Sequence, residues 1–431
     1  MVQRGLVVAA PGSGCGKTVL TLALLRALKN RNIDVRSAKA GPDYIDPGFH
    51  AAALGRPSVN LDPWAMSRQR LQDLACNQGG SHLLIEAMMG LYDGAADAKG
   101  SGADLAAILD VPVVLVIDTA RQSHSVAALA CGFRDYRPEL KLAGVILNKT
   151  GGARHELMLR NALLGVGVEV FGAIARNDAL GMPARHLGLV QANEHPDIEA
   201  FVEAAAKIIA NELDLERMLS LFEPVAGAAG TQQRLPAPGN RIAIACDTAF
   251  SFIYPHVLDD WRAQGAELIL FSPLADEAPD AGADAVYLPG GYPELHAGRI
   301  AAADKFRQGL HRAKQRGALV YGECGGYMVL GDGLADSDGK RHAMTGLLRL
   351  ETSFAKRQLH LGYRRVQAEP GFVFGEHLAC HEFHYSVATS EKGNPLFNAS
   401  DALGGKPGPQ GLRAGNVMGS YLHLIDAGDP V

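Results

Sequence analysis

A chain of 431 residues, 47% of them apolar, is too long for one ordinary core and has enough apolar surface to build two. Its net charge of −5 argues against a dedicated nucleic-acid binder, and it has no run of 18 apolar residues that could span a membrane. Six widely spaced cysteines without a Cys-x-x-Cys suggest neither a disulfide framework nor a zinc site, and an N-terminus that enters a strand at once carries no signal-peptide pattern, so a cytoplasmic protein is expected.

The first element is a short apolar strand over residues 5–10. It feeds Pro11-Gly-Ser-Gly-Cys-Gly-Lys-Thr18, and helical spacing follows from Val19 to Lys29. This is the order strand, phosphate loop, helix. Backbone N–H groups around Gly12, Gly14 and Gly16 can cradle phosphate oxygens, Lys17 can reach the β- and γ-phosphates of ATP, and the Thr18 hydroxyl is placed to ligate Mg²⁺. Pro11 stands where the strict pattern has glycine. Gly12 stands where a partitioning ATPase carries its signature lysine.

Further apolar runs at 33–38, 82–87, 111–117, 141–147 and 168–174 alternate with helical stretches at 67–77, 123–131, 153–164 and 197–210, the pattern of a mainly parallel sheet covered on both faces. Polar residues gather where these strands end, which is where open α/β sheets bind ligands. Lys39 to His50 forms a Pro/Gly-fixed loop holding Asp43, Tyr44 and Asp46. The run Glu86-Ala-Met-Met-Gly-Leu-Tyr-Asp-Gly94 puts Glu86 at a strand end and Asp93 just beyond it. Each of these acids can also be a turn or cap residue, but a phosphate loop needs an acid to hold its metal, and Asp43 and Glu86 suit best by position. Asn148 closes the next strand but one. It can reach a nucleotide base or simply cap the strand end.

Residues 223–240 are rich in Pro, Gly and Ala without apolar period and read as a linker between a domain over 1–222 and a second over 241–431. After it the α/β pattern restarts with strands at 241–247, 266–271, 285–288 and 318–321, while alternation in 341–390, as in His360-Leu-Gly-Tyr-Arg-Arg-Val-Gln367, suggests antiparallel strands. The strand at 318–321 runs into Tyr321-Gly-Glu-Cys-Gly-Gly-Tyr-Met328. A cysteine on so sharp a strand-to-helix turn is a nucleophile elbow, with glycines leaving the backbone room to turn. A helix starting near Gly325 offers unpaired N–H groups and the positive end of its dipole, which favour a Cys324 thiolate and a developing oxyanion. Gly290 and Gly291, at the end of the preceding strand, are the other candidate oxyanion donors. A base is also needed, and spacing does not choose among His360, His377, His381, His384 and His423.

These motifs carry a resemblance. Ala-Pro-Gly-Ser-Gly-Cys-Gly-Lys-Thr18, Gly41-Pro-Asp-Tyr-Ile-Asp-Pro47, Glu86-x-x-Met-Gly-Leu-Tyr-Asp-Gly94, Leu288-Pro-Gly-Gly-Tyr-Pro-Glu294, the Cys324 elbow, His381-Glu-Phe-His-Tyr-Ser386 and Gly419-Ser-Tyr-Leu-His-Leu424 together resemble the cobyrinate or hydrogenobyrinate a,c-diamide synthases, glutamine-dependent amidotransferases of corrin biosynthesis. The likeness runs over essentially the full length and includes Pro11. It implies an N-terminal P-loop NTPase-like synthetase domain and a C-terminal class I glutamine amidotransferase-like α/β domain, with Cys324 as glutaminase nucleophile and His423 as its base. The broader glutaminase pattern has Glu two residues after this histidine. Here that place is Ile425, with Asp426 one residue further, so the third member of the site is left unassigned.

The implied chemistry is amidation of the a and c carboxylates through acyl phosphates, with ATP and Mg²⁺ at the P-loop, ammonia released from glutamine at Cys324, and Tyr44, Asp46 and Asp93 near the corrin. A homodimer is compatible with the family. Two other readings share some of these features: a sister enzyme acting on nickel sirohydrochlorin, and a P-loop ATPase switch with an inert second domain. The second has no use for Cys324.

Overall fold

The apolar runs of the first half become parallel strands. In the computed structural model, which describes residues 2–181, 192–194, 197–227 and 234–428, these are β1 (Arg4–Ala9), β2 (Val35–Ala40), β3 (Val59–Leu61), β4 (His82–Glu86), β5 (Val113–Asp118), β6 (Leu142–Thr150) and β7 (Val170–Ala175). Their order is β3-β2-β4-β1-β5-β6-β7, with every neighbouring pair parallel. β1 is central because Leu6, Val7 and Val8 are buried on both faces, as a strand covered by helices on each side must be. A two-residue strand, β8 (Glu223–Pro224), pairs antiparallel with the start of β1, at the beginning of the Pro/Gly/Ala-rich stretch. Part of that stretch, 228–233, lies outside the described residues.

Helix α1 (Lys17–Asn30) leaves the phosphate loop, and α2 (Asp46–Leu54) covers the sheet beside it. The second corrects the loop expected up to His50: the helix starts at Asp46, and Pro47 sits in its first turn, where the missing N–H is not needed.

The second half builds β9 (Arg241–Ala245), β10 (Glu267–Phe271), β11 (Ala285–Leu288) and β12 (Leu319–Glu323), then β13 (Gly333–Ala335), β14 (Arg341–Ala343), β15 (Leu350–Ser353), β16 (His360–Gln367), β17 (His377–His384), β18 (Val387–Glu391), β19 (Asn394–Asp401), β20 (Gly408–Ala414), β21 (Val417–Ser420) and β22 (Leu422–Ala427). The large sheet runs β10-β9-β11-β12-β21-β20-β19-β16-β17-β22, parallel up to β21 and antiparallel beyond. A small sheet, β14-β13-β15-β18, stands apart from it. The chain divides into two compact units, Met1–Gln232 and Gln233–Val431, each with its own hydrophobic cluster. Among the described residues no helix is long and apolar enough to cross a membrane.

Candidate active sites

In the first unit the phosphate loop turns on Gly14 (φ 82°) and Gly16 (φ 83°), both in the left-handed region that glycine enters without strain, while Gly12 has open space beside its Cα. Asn148 Nδ2 donates to the Cys15 carbonyl at 2.9 Å, and Lys149 Nζ reaches the Gly14 carbonyl at 3.2 Å and Asp118 at 2.6 Å. These side chains fix the loop from the ends of β5 and β6. At the start of α1, Lys17 is buried, with Nζ on the Met89 carbonyl at 3.0 Å; burial pulls its pKa down, and Glu86 resists. Such an ammonium has lost its water and stands ready for an anion.

Glu86 is the hub. The Thr18 hydroxyl donates to its Oε1 at 2.6 Å, Lys39 Nζ lies 3.1 Å from the same oxygen, and His50 Nε2 is 2.7 Å from Oε2. Burial opposes ionisation of Glu86, yet Lys39, His50 and Lys17 outweigh it and hold the carboxyl below its ordinary range. Lys39 also pairs with Asp46; burial works against its charge, but Glu86, Asp46 and Asp43 win and raise its pKa. Asp46 itself is pushed up to about 7 by burial, Asp43 and Glu86.

In the second unit β12 ends at Glu323, and Cys324 turns the chain with φ 46° and ψ −104° into the helix Gly325–Leu330. Its N–H donates to the Ser420 carbonyl at 2.8 Å, locking the turn to β21. A Cβ on Gly322 would lie 2.8 Å from the Gly326 carbonyl, and one on Gly326 would strike the Leu288 carbonyl, so the elbow closes only over glycine. Strain of this kind is held in place by its surroundings and points the side chain at a site.

The Cys324 sulfur lies 3.8 Å from the Phe383 carbonyl and takes the Gly325 N–H. A Cβ on Gly290 would be 3.3 Å from Cys324 Cβ and 3.2 Å from His423 Nδ1, so the thiol and the imidazole both border this one glycine. Gly291 N lies 3.1 Å from the Cβ position of Gly325, which brings the three candidate oxyanion glycines together. Burial, reinforced by Glu294, pushes the Cys324 thiol well up, and burial with His381 and His384 lowers His423 to about 3. Burial thus favours the uncharged forms of both groups. The helix that follows the elbow has only six residues; the Gly325 N–H favours a thiolate, and burial works against it.

Of the other candidate bases, His360 and His384 stack with ring centroids 4.6 Å apart and gather at Glu382, which Arg364 also pairs at 2.5 Å. Ile425 is fully buried.

Residues 6–190 match the family model described as the CobQ/CobB/MinD/ParA nucleotide binding domain, and residues 241–430 match the CobB/CobQ-like glutamine amidotransferase domain. Over 429 residues, 98% of this chain and 99% of the relative, the sequence is 55% identical to a hydrogenobyrinate a,c-diamide synthase from a Sinorhizobium species. A Rhodobacter capsulatus protein of the same name is 51% identical over 433 residues, covering 98% of each chain. The chain belongs to the hydrogenobyrinate a,c-diamide synthase family.

For this diamide synthase family member, the structure gathers some of the expected residues and separates others. Thr18 and Glu86 meet. Asp43 lies in the same charged cluster, adding to the field at Lys17 and Lys39, while its Oδ1 accepts the N–H groups of Ile45 and Asp46 at 2.7 and 3.1 Å. Asn148, for which a base contact and a strand-end cap were both open, donates from Nδ2 to the Cys15 carbonyl at 2.9 Å and takes the Lys149 N–H on Oδ1 at 2.9 Å. Tyr44 is half-buried on the turn that leads into α2. Asp93 is exposed, accepts the Gly90 N–H at 2.8 Å and rims a cleft of about 510 Å³ with Tyr92, Phe133 and Tyr136. Lys39 and His50 are the residues that sequence reasoning missed. Lys39 was findable in principle, since it is the next-to-last residue of β2, directly opposite Glu86 at the end of β4.

Proposed function

We propose that the protein converts hydrogenobyrinate to its a,c-diamide, using ATP to activate each carboxylate and glutamine as the nitrogen source. The observation that carries this reading is the near-full-length likeness to hydrogenobyrinate a,c-diamide synthases, on a chain that holds both a phosphate-loop cluster and a cysteine elbow beside a histidine.

A carboxylate is a poor acyl donor because oxide would have to leave, so its oxygen first attacks the γ-phosphorus of ATP and ADP departs. Lys17 is the buried cation for the transferring phosphoryl group, and the loop N–H groups hold the remaining phosphates. Thr18 Oγ1 and Glu86 Oε1, 2.6 Å apart, are hard oxygen donors that fit a Mg²⁺ carried by the nucleotide, whose charge would offset that of the phosphates. Ammonia then attacks the acyl carbon and phosphate leaves. In the second unit His423 takes the Cys324 proton, the sulfur attacks the glutamine amide carbon, and the oxygen that becomes negative faces the Gly290, Gly291 and Gly325 backbone. Collapse expels the nitrogen, which receives the proton from His423 and leaves as ammonia, and water clears the thioester. Tyr44 and Asp46 beside Lys39, and Asp93 at its cleft, are the positions assigned to the corrin. ATP and glutamine as co-substrates suit a cytoplasmic enzyme.

Purified protein supplied with ATP, Mg²⁺ and glutamine should turn hydrogenobyrinate into a diamide by mass spectrometry, each step replacing one hydroxyl by one amino group. Diamide formed from nickel sirohydrochlorin but not from hydrogenobyrinate would overturn the substrate assignment. Glutamine-independent ATP hydrolysis with no amide formed from any tetrapyrrole would overturn the reaction.

A further inference from the structure

The place where the broader glutaminase pattern carries an acid is taken by Ile425, which faces the core and whose carbonyl accepts from His256 at 2.8 Å. Another carboxylate has come to the histidine from a different strand. Glu323, the last residue of β12, is buried, and its Oε2 lies 3.9 Å from His423 Nδ1. That is about 1 Å beyond a hydrogen bond, and close enough for an ion pair only once the imidazole is protonated. The carboxyl is aimed by two donors: the Tyr287 hydroxyl gives to Oε2 at 2.9 Å, and the Leu424 N–H, next in the chain after His423, gives to Oε1 at 3.3 Å. Because Glu323 immediately precedes Cys324, one turn of backbone would place both the nucleophile and the acid behind its base.

We propose that Glu323 is the positioning residue of the glutaminase site, orienting His423 through Nδ1 in place of an acid on β22. This rests on the reading of Cys324 and His423 as the glutaminase pair. With Nδ1–H turned to Glu323, Nε2 is left to take the Cys324 proton, and the imidazolium so formed stands beside a carboxylate. Burial pushes Glu323 up to about 8, so the protein makes its ionised form costly until a positive charge appears next to it. The titratable groups packed around the site are Tyr287 on β11, Glu294 beyond it, Tyr321 and Cys324 from β12 and its elbow, Cys380, His381, Glu382 and His384 on β17, and Tyr421 before β22.

The test measures glutamine hydrolysis and the rate of Cys324 alkylation by iodoacetamide across pH, in the full-length protein. Glu323→Gln is expected to lower the glutaminase kcat on the order of a hundredfold or more, with KM for glutamine changed less than about threefold, because orientation acts on the chemical step. Because the Glu323 charge itself raises the Cys324 thiol, the alkaline limb of the alkylation profile should move to lower pH, and Glu323→Asp should restore part of both effects. A role in folding alone would lower the amount of active protein without moving that limb. Should Glu323→Gln fail to give soluble protein, Tyr287→Phe, which removes only the hydroxyl on Oε2, should shift the limb in the same direction by less, and an unmoved limb would overturn the proposal. Glu323→Gln with unchanged kcat and profile, while Cys324→Ala and His423→Ala are inactive, would overturn the role of Glu323 and leave the glutaminase pair standing. Glutamine hydrolysis surviving in Cys324→Ala would instead overturn the pair.

Discussion

Cys324→Ala removes a sulfur from the second unit and leaves the phosphate-loop residues unchanged, so it is expected to abolish glutamine-driven amidation while amidation from concentrated ammonium persists; equal loss of both would make the cysteine structural. Lys17→Ala should stop amidation from either nitrogen source, by about a hundredfold or more for a lost transition-state phosphate contact, with glutamine hydrolysis retained. Diamide formed by Lys17→Ala with ammonium would move the ATP site elsewhere. His423 gives a pH signature of stability. Its imidazole takes a proton near 6.5 in the unfolded chain but only near 3 when folded, so between those values the unfolded state binds more protons and stability falls as the pH is lowered. Denaturant midpoints at pH 5 and pH 7 should therefore lie closer together in His423→Asn than in the parent, and an unchanged gap would show that the ring is not held neutral. At this scale the residues lying inside contiguous motifs were legible, as Thr18, Glu86 and Cys324 show. Lys39, His50 and Glu323 were not, because each meets its partner across elements that are far apart in sequence.

The elbow is the element on which the second unit turns. With Gly322 pressed on the Gly326 carbonyl, Gly322→Ala must open the turn, and overpacking of this kind costs about 1–3 kcal/mol. Thermal denaturation should show that loss together with weakened glutaminase activity; a variant with parental stability and activity would mean the turn is not under constraint. Parallel strands were readable because, buried on both faces, they appear as short continuous apolar runs, and β1, β4 and β5 were found nearly to the residue. β3 is only three residues long and was missed. β19 and β20 were missed for another reason: prolines, glycines and exposed polar residues such as Pro395, Pro409 and Gly411 blur the alternation, and pairing with neighbours holds these strands instead. α2 was read as loop because Pro47 and Gly48 look like turn signals, although proline is tolerated in a first turn.

For the whole molecule, two units with separate cores make the two half-reactions genetically separable. Mixing Cys324→Ala with Lys17→Ala protein should restore glutamine-driven diamide only as far as ammonia accumulates in solution, so an ammonia-consuming enzyme added to the mixture should abolish the rescue; rescue that survives it would mean nitrogen passes between molecules without entering solution. The burial of the Cys324 thiol also bears on how the protein ages. Peroxide attacks thiolates far faster than thiols, and burial both shields Cys324 and disfavours its thiolate. A nucleophile that is only unmasked during turnover is spared oxidative wear while the enzyme waits for substrate, so its working lifetime would be counted in catalytic cycles more than in hours.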